Sequence, residues 1–233
     1  MSLAAPVSPP PLLESDCLTS DEFLRRWEAM PDLKRAELID GIVYLPSPVS
    51  RHHDGCHVAL ATWLGNYAAA TTGCFPSLEG TWRMGASDVP QPDNALKILP
   101  EYGGQSRVEG PYHAGAPELI VEVAVSSYSR DFGAKKRLYE RMGVREYVIA
   151  VPRAREVTWF ELMPTGYQTL EPGSDGIFRS RCFPGLWLDT AALWDLDLAR
   201  ANAVLQQGLA TPEHAEFAAQ LAARATHTPP AQL

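Results

Sequence analysis

The sequence lacks the features that mark secreted or membrane-bound chains. Its four cysteines include no CxxC pair. The opening stretch MSLAAPVSPPPLLESD has neither the basic start nor the apolar core of a signal peptide. No apolar run approaches the roughly 20 residues needed to span a bilayer. We therefore expect a protein of the reducing cytoplasm with no membrane partner.

A net positive charge is also lacking. The 233 residues carry 28 acidic side chains against 20 Lys and Arg, a net charge of -8. Such a chain is not drawn as a whole to nucleic acid or acidic membranes. The charge is uneven, however, because residues 130–155 hold eight basic and three acidic side chains. The hydrophobic share of 45% is enough for one substantial core.

The N-terminal part predicts a flexible segment, a helix and a hairpin. Residues 1–18 are rich in Pro and Ser, so we expect them to be disordered. Thr19 begins the capping sequence TSDE of a helix that ends at Pro31. Residues 36–46, AELIDGIVYLP, have Asp-Gly between two apolar runs, which is typical of a type I′ turn. Glu37 then lies on the first strand of a hairpin.

A helix and several strands follow. Residues 57–73 have apolar side chains at helical spacing and end at a glycine. Residues 74–99 are strand-like and place Asp93 at the start of an apolar run. Residues 101–116 predict a Gly-rich loop with little regular structure, which could face a substrate.

The middle of the chain predicts a βαβ unit. LIVEVAV at 119–125 is typical of a strand, residues 132–142 of a helix that stops at Gly143, and EYVIAV at 146–151 of a second strand. This order makes the two strands parallel with a right-handed crossover. A further hairpin is expected after residue 156.

The C-terminal part looks helical. One helix is expected from Asp189 or Thr190 to about Gln207, with Gly208 as its stop, and Thr211 predicts the N-cap of a second. We expect a folded domain over 19–187, helices packed on it over 188–225, and a disordered tail over 226–233. The fold class predicted is α/β, a mixed central sheet flanked by helices, with an N-terminal helix and hairpin and a C-terminal helical extension.

The strand LIVEVAV contains one carboxylate. Glu122 shares a face with Ala124, while Val121 and Val123 share the other. A parallel strand is covered on both faces, so Glu122 should be buried. An unpaired buried carboxylate costs several kcal/mol. Glu122 must therefore be protonated, paired with a base such as a neighbouring Arg, or bound to a metal.

Two further residues favour a metal. Asp93 lies on a neighbouring predicted strand, and Lys135 lies early in the crossover helix. Two converging carboxylates, here Asp93 and Glu122, are hard oxygen ligands suited to Mg²⁺, with Mn²⁺ as a substitute. A nearby ammonium can orient or deprotonate an attacking water and stabilise charge in the transition state. Together these residues suit metal-dependent phosphodiester cleavage.

Linked motifs give the chain a family resemblance. It resembles the restriction endonuclease family of the Uma type, in the PD-(D/E)xK nuclease superfamily, through QPD at 91–93, ELIVEVAVSS at 118–127, DFGAKKRLY at 131–139, GVREYVIAV at 143–151, AELIDG at 36–41 and GLATPEHAEF at 208–217. The resemblance implies a restriction-endonuclease-like core and an endonuclease acting on nucleic acid, DNA rather than RNA. It implies Asp93 and Glu122 as metal ligands and Glu37 as a further acidic member of the catalytic site.

One position departs from the superfamily pattern. Where that pattern places its Lys, two residues after Glu122, this chain has Ala124. The basic role then falls on Lys135, whose four-carbon stem can reach back to the strand end. The missing Lys and the net charge favour a rival hypothesis, a nuclease-like fold used for non-catalytic binding or regulation. A third is an unrelated α/β protein in which Glu122 is only ion-paired.

Other residues are candidates for substrate contact. These are His53, Lys136, Arg137 and Tyr139. The basic residues of this set could instead form the solvated face of the crossover helix. Asp131 is read as the N-cap of that helix. A homodimer would supply the two sites that cutting both strands of a duplex needs.

A zinc site is the alternative for HHDGCH at 52–57. His53 and His57 are four residues apart with Cys56 between them, so three zinc-capable ligands could meet near a helix start. No second ligand cluster accompanies them in the sequence, which argues against a structural zinc site.

Overall fold

The computed structural model describes residues 8–45 and 51–225, with Arg51 and His52 described by their backbone alone. The helices are α1 (Ser20–Glu28), α2 (Arg51–Ala70), α3 (Tyr128–Arg130), α4 (Lys136–Met142), α5 (Thr190–Asp195), α6 (Leu198–Leu209) and α7 (Pro212–Arg224). A 3-10 helix covers Pro100–Tyr102, and a π-helical turn, Asp131–Lys135, joins α3 to α4.

Thirteen strands are present in these ranges. They are β1 (Glu37–Ile39), β2 (Ile42–Tyr44), β3 (Cys74–Leu78), β4 (Trp82–Arg83), β5 (Asn94–Ile98), β6 (Arg107–Glu109), β7 (Tyr112–Ala114), β8 (Leu119–Val123), β9 (Glu146–Val151), β10 (Glu156–Met163), β11 (Gly166–Leu170), β12 (Ile177–Arg179) and β13 (Trp187–Asp189). Six of them form the central sheet, in the order β11-β10-β9-β8-β5-β3.

The central sheet is mixed, as predicted. β8 and β9 are parallel, while the other neighbours in this sheet run antiparallel. The helical segment from α3 to α4 joins β8 to β9, which confirms the βαβ unit. With helices packed against the sheet, the predicted α/β class is confirmed.

Opposite faces of β8 enter different hydrophobic cores. Val121 and Val123 pack in a core with α2 and the C-terminal helices, whereas Ile120 and Ala124 pack in a core with α4. This alternation follows from the two-residue period of a strand. It sets Glu122 on the face covered by the helical crossover, where few carboxylates are tolerated.

The N-terminal predictions hold in most respects. The Thr19 hydroxyl accepts a hydrogen bond from the Glu22 amide at 3.3 Å and caps α1. Asp40 and Gly41 both have positive φ, 51° and 78°, as a type I′ turn requires. The expected disorder of residues 1–18 is wrong for their later part, because Leu12 is buried in the core around α1. Residues 1–7 and the predicted tail lie outside the described residues.

Several expected boundaries were wrong. Helix α2 begins at Arg51 instead of residue 57. The expected irregular loop at 101–116 holds the 3-10 helix and the β6–β7 hairpin, which pairs with β4. The single helix expected up to Gln207 is two, because Leu196 turns the chain at φ 54° and Asp197 caps a new helix, α6. Among the helices of the described ranges, none has the length and apolar character to cross a membrane.

Candidate active site

Buried acidic residues converge around one lysine where strands β8 and β5 meet the β1–β2 hairpin and the π-helical turn. Asp93 immediately precedes β5, and Glu122 lies in β8, which pairs with β5 so that Asn94 is opposite Val121. The Asp93 amide faces the Glu122 Oε2 at 3.4 Å, and the Val123 amide donates to the Asp93 Oδ2 at 2.9 Å. The register of two neighbouring strands therefore brings the two predicted metal ligands together.

Lys135 reaches this cluster from the π-helical turn. Its Nζ lies 2.8 Å from the Oε1 of Glu122 and 2.8 Å from the Oε1 of Glu37. The lysine is only 2% exposed. A π-helical turn widens the helix locally and is often found at functional sites. Lys135 thus contacts Glu122, and its taking over the role of the lysine absent at position 124 stays a prediction.

Glu37 joins the cluster from β1. Besides Lys135, its carboxylate accepts a hydrogen bond from the Gln91 amide at 3.0 Å and lies 3.8 Å from the guanidinium of Arg130. The Asp-Gly turn sets the hairpin register that directs this side chain inward. Glu37 is therefore part of the same buried network, and its membership of a catalytic site stays a prediction.

Asp93 has cationic and histidine neighbours on its outer side. Its Oδ1 accepts from Arg35 at 3.1 Å, and its Oδ2 lies 3.2 Å from the Nε2 of His53. His57 Nε2 lies 2.9 Å from the Asp93 backbone carbonyl. Both histidines project from α2, one helical turn apart, so the predicted candidate His53 does approach the site.

Electrostatics keep Lys135 charged. Burial by itself would lower the pKa of Lys135, but the surrounding carboxylates, Glu122 first and then Glu37, outweigh it and raise that pKa above its usual range. Burial raises the pKa of Glu122, against the opposing charge of Lys135. Burial also acts to raise the pKa of Asp93, yet the hydrogen bond with His53 and the charge of Lys135 hold it below its usual range.

Asp131 is not the helix N-cap that the sequence suggested. The helical segment begins a turn earlier, at Tyr128, so Asp131 lies inside it and is fully buried. Its Oδ2 accepts from the Ser127 hydroxyl at 2.5 Å, and its Oδ1 is 3.8 Å from the Lys135 Nζ. Asp131 is a further acidic neighbour of the lysine.

Among the remaining candidates, Tyr139 contacts Glu122, whereas Lys136 and Arg137 have other surroundings. Tyr139 donates its hydroxyl to the Glu122 Oε1 at 2.9 Å, as expected of a residue four positions after Lys135. Lys136 instead places its ammonium over the Phe160 ring, 4.1 Å from the centroid. Arg137 is exposed on the helix surface. Substrate contact by these three residues and by His53 stays a prediction.

A second grouping around Asp93 has the donor set of a metal site. Donor atoms of His57, Glu79 and Asp93 lie within 4.8 Å of one another. Two carboxylates and an imidazole are ligands that divalent cations accept. Within the described ranges, Glu122 and Glu37 belong to no comparable group of three. The residues present thus fit a divalent metal at Asp93.

Two residues around Asp93, Arg35 and Glu79, were not predicted from the sequence. Arg35 bridges Glu79 and Asp93, with its two terminal nitrogens 3.1 Å from each carboxylate. Gln91 donates its side-chain amide to the Glu79 carbonyl at 2.9 Å. Glu79 stands at positive φ, 50°, in the turn after β3. No periodic pattern marks Arg35 or Glu79, although QPD at 91–93 points to Gln91.

Comparison with known proteins agrees with a nuclease-like α/β fold. The chain belongs to the Uma2 family, whose model, described as "Putative restriction endonuclease", matches residues 20–191. It is similar to the crystal structure of a "putative nuclease belonging to DUF820" from Anabaena variabilis ATCC 29413, with a TM-score of 0.59 and 19% identity, covering 76% of this chain and 98% of that one. At that identity the likeness establishes the fold. No curated protein matches the chain.

Proposed function

We propose that this protein is a divalent-metal-dependent endonuclease that hydrolyses phosphodiester bonds in nucleic acid, with DNA as the preferred substrate. The observation that carries the proposal is the buried contact of Lys135 with Glu122 beside Asp93, on neighbouring strands of a Uma2-family chain. A lysine and two carboxylates in this arrangement have the chemistry of the PD-(D/E)xK superfamily that the sequence resembles.

The charge of the site supports a divalent cation. The carboxylates and cations linked by ion pairs here are Glu37, Glu79, Asp93, Glu122 and Asp131 on one side and Arg35, Arg130 and Lys135 on the other. When ionised, these groups carry an excess of two negative charges, which the His53 imidazole paired with Asp93 reduces to one when it is protonated. Buried charge without compensation is costly, and a divalent ion would balance the excess.

The residues then take the following roles. Asp93 and Glu122 would hold Mg²⁺, or Mn²⁺ in its place, which would supply polarisation of a phosphoryl oxygen and a lowered pKa for an attacking water. Lys135 orients the attacking water and stabilises negative charge on the phosphoryl group. With its ammonium 2.8 Å from both Glu122 and Glu37, Lys135 is placed to act as a charged donor. Glu37 holds the Lys135 ammonium toward the site.

The basic segment after β8 supports nucleic-acid binding only in part. Arg141 is paired with Asp40 and Asp88, each at 3.0 Å, so its charge is partly neutralised. Arg137 is exposed in the first turn of α4, two residues after the π-helical turn, where a phosphate could be contacted. We propose binding confined to this face, with an affinity that falls steeply with salt.

The test is a cleavage assay with matched variants. Purified protein is incubated with supercoiled plasmid, single-stranded DNA and RNA, in Mg²⁺, in Mn²⁺ and with chelator. The proposal predicts metal-dependent cleavage that Glu122→Gln and Asp93→Asn each reduce by at least 100-fold, while the control Glu109→Gln, in an exposed pair with Arg107, is as active as wild type. Equal activity in wild type and Glu122→Gln would refute the assignment.

A non-catalytic binding protein is the second candidate, and one observation favours it. Both carboxylate oxygens of Asp93 are already engaged, one by Arg35 and the other by His53 and the Val123 amide. If this pairing were permanent, the ion could not bind at Asp93. Nucleic-acid binding without cleavage in any metal, unchanged by Glu122→Gln, would establish this second function instead.

A further inference from the structure

We propose that His57, Glu79 and Asp93 form a divalent-metal site of mixed nitrogen and oxygen ligands that selects Mn²⁺ over Mg²⁺. The inference deepens the proposed function and rests on it in assigning the metal to Asp93. It adds two ligands, His57 and Glu79, beyond the pair of Asp93 and Glu122.

The backbone carbonyl of Asp93 accepts hydrogen bonds from the other two residues of the group. His57 Nε2 lies 2.9 Å from this oxygen, and the Glu79 amide donates to it at 3.1 Å. One imidazole from α2 and one carboxylate from the turn after β3 are thereby fixed beside the Asp93 side chain. Neither histidine nor glutamate is fully buried, so water and ions have access.

The spacing of the donor atoms suits coordination after side-chain rotation. They lie within 4.8 Å of one another. Ligands on opposite sides of an ion at about 2.2 Å are about 4.4 Å apart. Neighbouring ligands on one ion are only about 3.1–3.6 Å apart, so side-chain rotations that shift donor atoms by up to about 1–2 Å would close the group on an ion. Because the Nε2–H of His57 donates to the Asp93 carbonyl, the unprotonated Nδ1 is the ring nitrogen that would bind a metal.

A buried amide beside Glu79 provides an independent observation. Gln91 is 6% exposed, and its Nε2 donates to the Glu79 carbonyl at 2.9 Å. Its Oε1 is buried and has no hydrogen-bond partner within the part of the chain described. Buried acceptors are rarely left unpaired. An ordered water, such as one carried by a bound divalent ion, would satisfy this oxygen.

Arg35 supplies the positive charge between the carboxylates of Glu79 and Asp93. Its guanidinium bridges Glu79 and Asp93, 3.1 Å from each carboxylate. A divalent ion at the same carboxylates competes with this charge. Removing Arg35 should therefore tighten metal binding, whereas a purely structural ion-pair network would gain no affinity for metal from that change.

The single imidazole sets the metal preference. Mg²⁺ favours oxygen ligands and keeps several waters, whereas first-row transition ions accept imidazole readily. The group of one nitrogen and two carboxylate ligands therefore favours Mn²⁺ over Mg²⁺. The affinity of the site for divalent first-row metals should rise further from Mn²⁺ towards Cu²⁺, following the general order of these ions.

Calorimetric titration of the full chain with Mn²⁺ and, separately, Mg²⁺ tests the site without an activity readout. We expect Mn²⁺ to bind at least tenfold more tightly than Mg²⁺. His57→Asn and Glu79→Gln should each weaken Mn²⁺ binding at least tenfold, and Arg35→Gln should strengthen it at least threefold. The exposed control Glu109→Gln should bind as wild type. Circular dichroism establishes that each variant is folded.

The outcomes separate this inference from the proposed function. Mn²⁺ affinity within twofold of wild type in both His57→Asn and Glu79→Gln would overturn the inference, even if nucleic acid is cleaved. The expected binding pattern without cleavage of any substrate would uphold the metal site and remove the nuclease proposal. Mn²⁺ binding lost in Glu122→Gln and retained in His57→Asn would assign the ion to the carboxylate pair alone, against the inference.

Discussion

Replacing Lys135 with Met tests the buried network most severely. The ammonium lies 2.8 Å from both Glu122 and Glu37, and these carboxylates are 2% and 7% exposed. Methionine keeps an unbranched apolar stem, in a side chain one atom shorter than that of lysine, but leaves both carboxylates without their main cation. The Tyr139 hydroxyl would remain as a donor to Glu122. The substitution therefore isolates the charge from the packing.

The expected loss follows from the cost of uncompensated buried charge. Each contact is worth about 6 kcal/mol of attraction at an effective dielectric constant of about 20, most of which offsets desolvation of the groups. Removing one partner of a buried pair typically costs about 3–5 kcal/mol. With a total stability of about 5–15 kcal/mol for a domain, Lys135→Met should lose about a fifth of it or more.

Urea denaturation followed by circular dichroism measures this loss. The double variant Lys135→Met with Glu122→Gln should recover about 1–2 kcal/mol, because it removes one of the two unpaired charges. Lowering the pH should also restore part of the stability of Lys135→Met, as the orphaned carboxylates take up protons. A loss below about 1 kcal/mol for the single variant would show that the network carries little energy and would refute the reasoning.

Two further predictions concern glycine packing and pH. Gly208→Ala should destabilise the fold by about 1–3 kcal/mol in thermal unfolding, because a Cβ there would lie 2.2 Å from the Gly185 carbonyl oxygen. Gly65→Ala, whose Cβ would have nothing within 4 Å, should instead stabilise α2 by about 0.5–1 kcal/mol. A change in stability of the same sign for both variants would contradict this reasoning. Burial and the charge of Lys97 lower the pKa of His113 to about 4, so its contribution to stability is present above about pH 6.5 and is lost as the pH falls toward 4. Urea unfolding across that range should show this loss in wild type and less of it in His113→Gln; identical curves would contradict the assignment.

The parts of the fold that the sequence predicts well are those specified locally. The type I′ turn at Asp40 and Gly41 and the cap at Thr19 depend on the φ preferences and hydrogen bonds of a few consecutive residues. The βαβ unit follows from two apolar strands and a helix between them. Long-range packing decided the elements that were wrong. The sequence predicts Gly208 as a helix stop, but α6 includes it. A glycine is needed there because the Gly185 backbone approaches too closely for a side chain.

The site was predictable only where the residue types were unusual for their surroundings. A carboxylate inside LIVEVAV drew attention to Glu122, and the family pattern linked it to Asp93 and Lys135. The π-helical turn that buries Asp131 has no signal in the sequence, since an Asp there resembles an ordinary cap. Arg35 and Glu79 reach Asp93 only through tertiary contacts, from the segment before β1 and from the turn after β3.

The central claim is that Asp93, Glu122 and Lys135 form a metal-dependent catalytic site for nucleic-acid hydrolysis. Plasmid relaxation by wild type and Glu122→Gln over a Mn²⁺ titration tests this claim most directly. The account predicts cleavage by wild type that rises with Mn²⁺ and is abolished by chelator, with at least a 100-fold lower rate for Glu122→Gln. Equal rates for the two proteins, or no cleavage by folded, Mn²⁺-bound wild type, would contradict it.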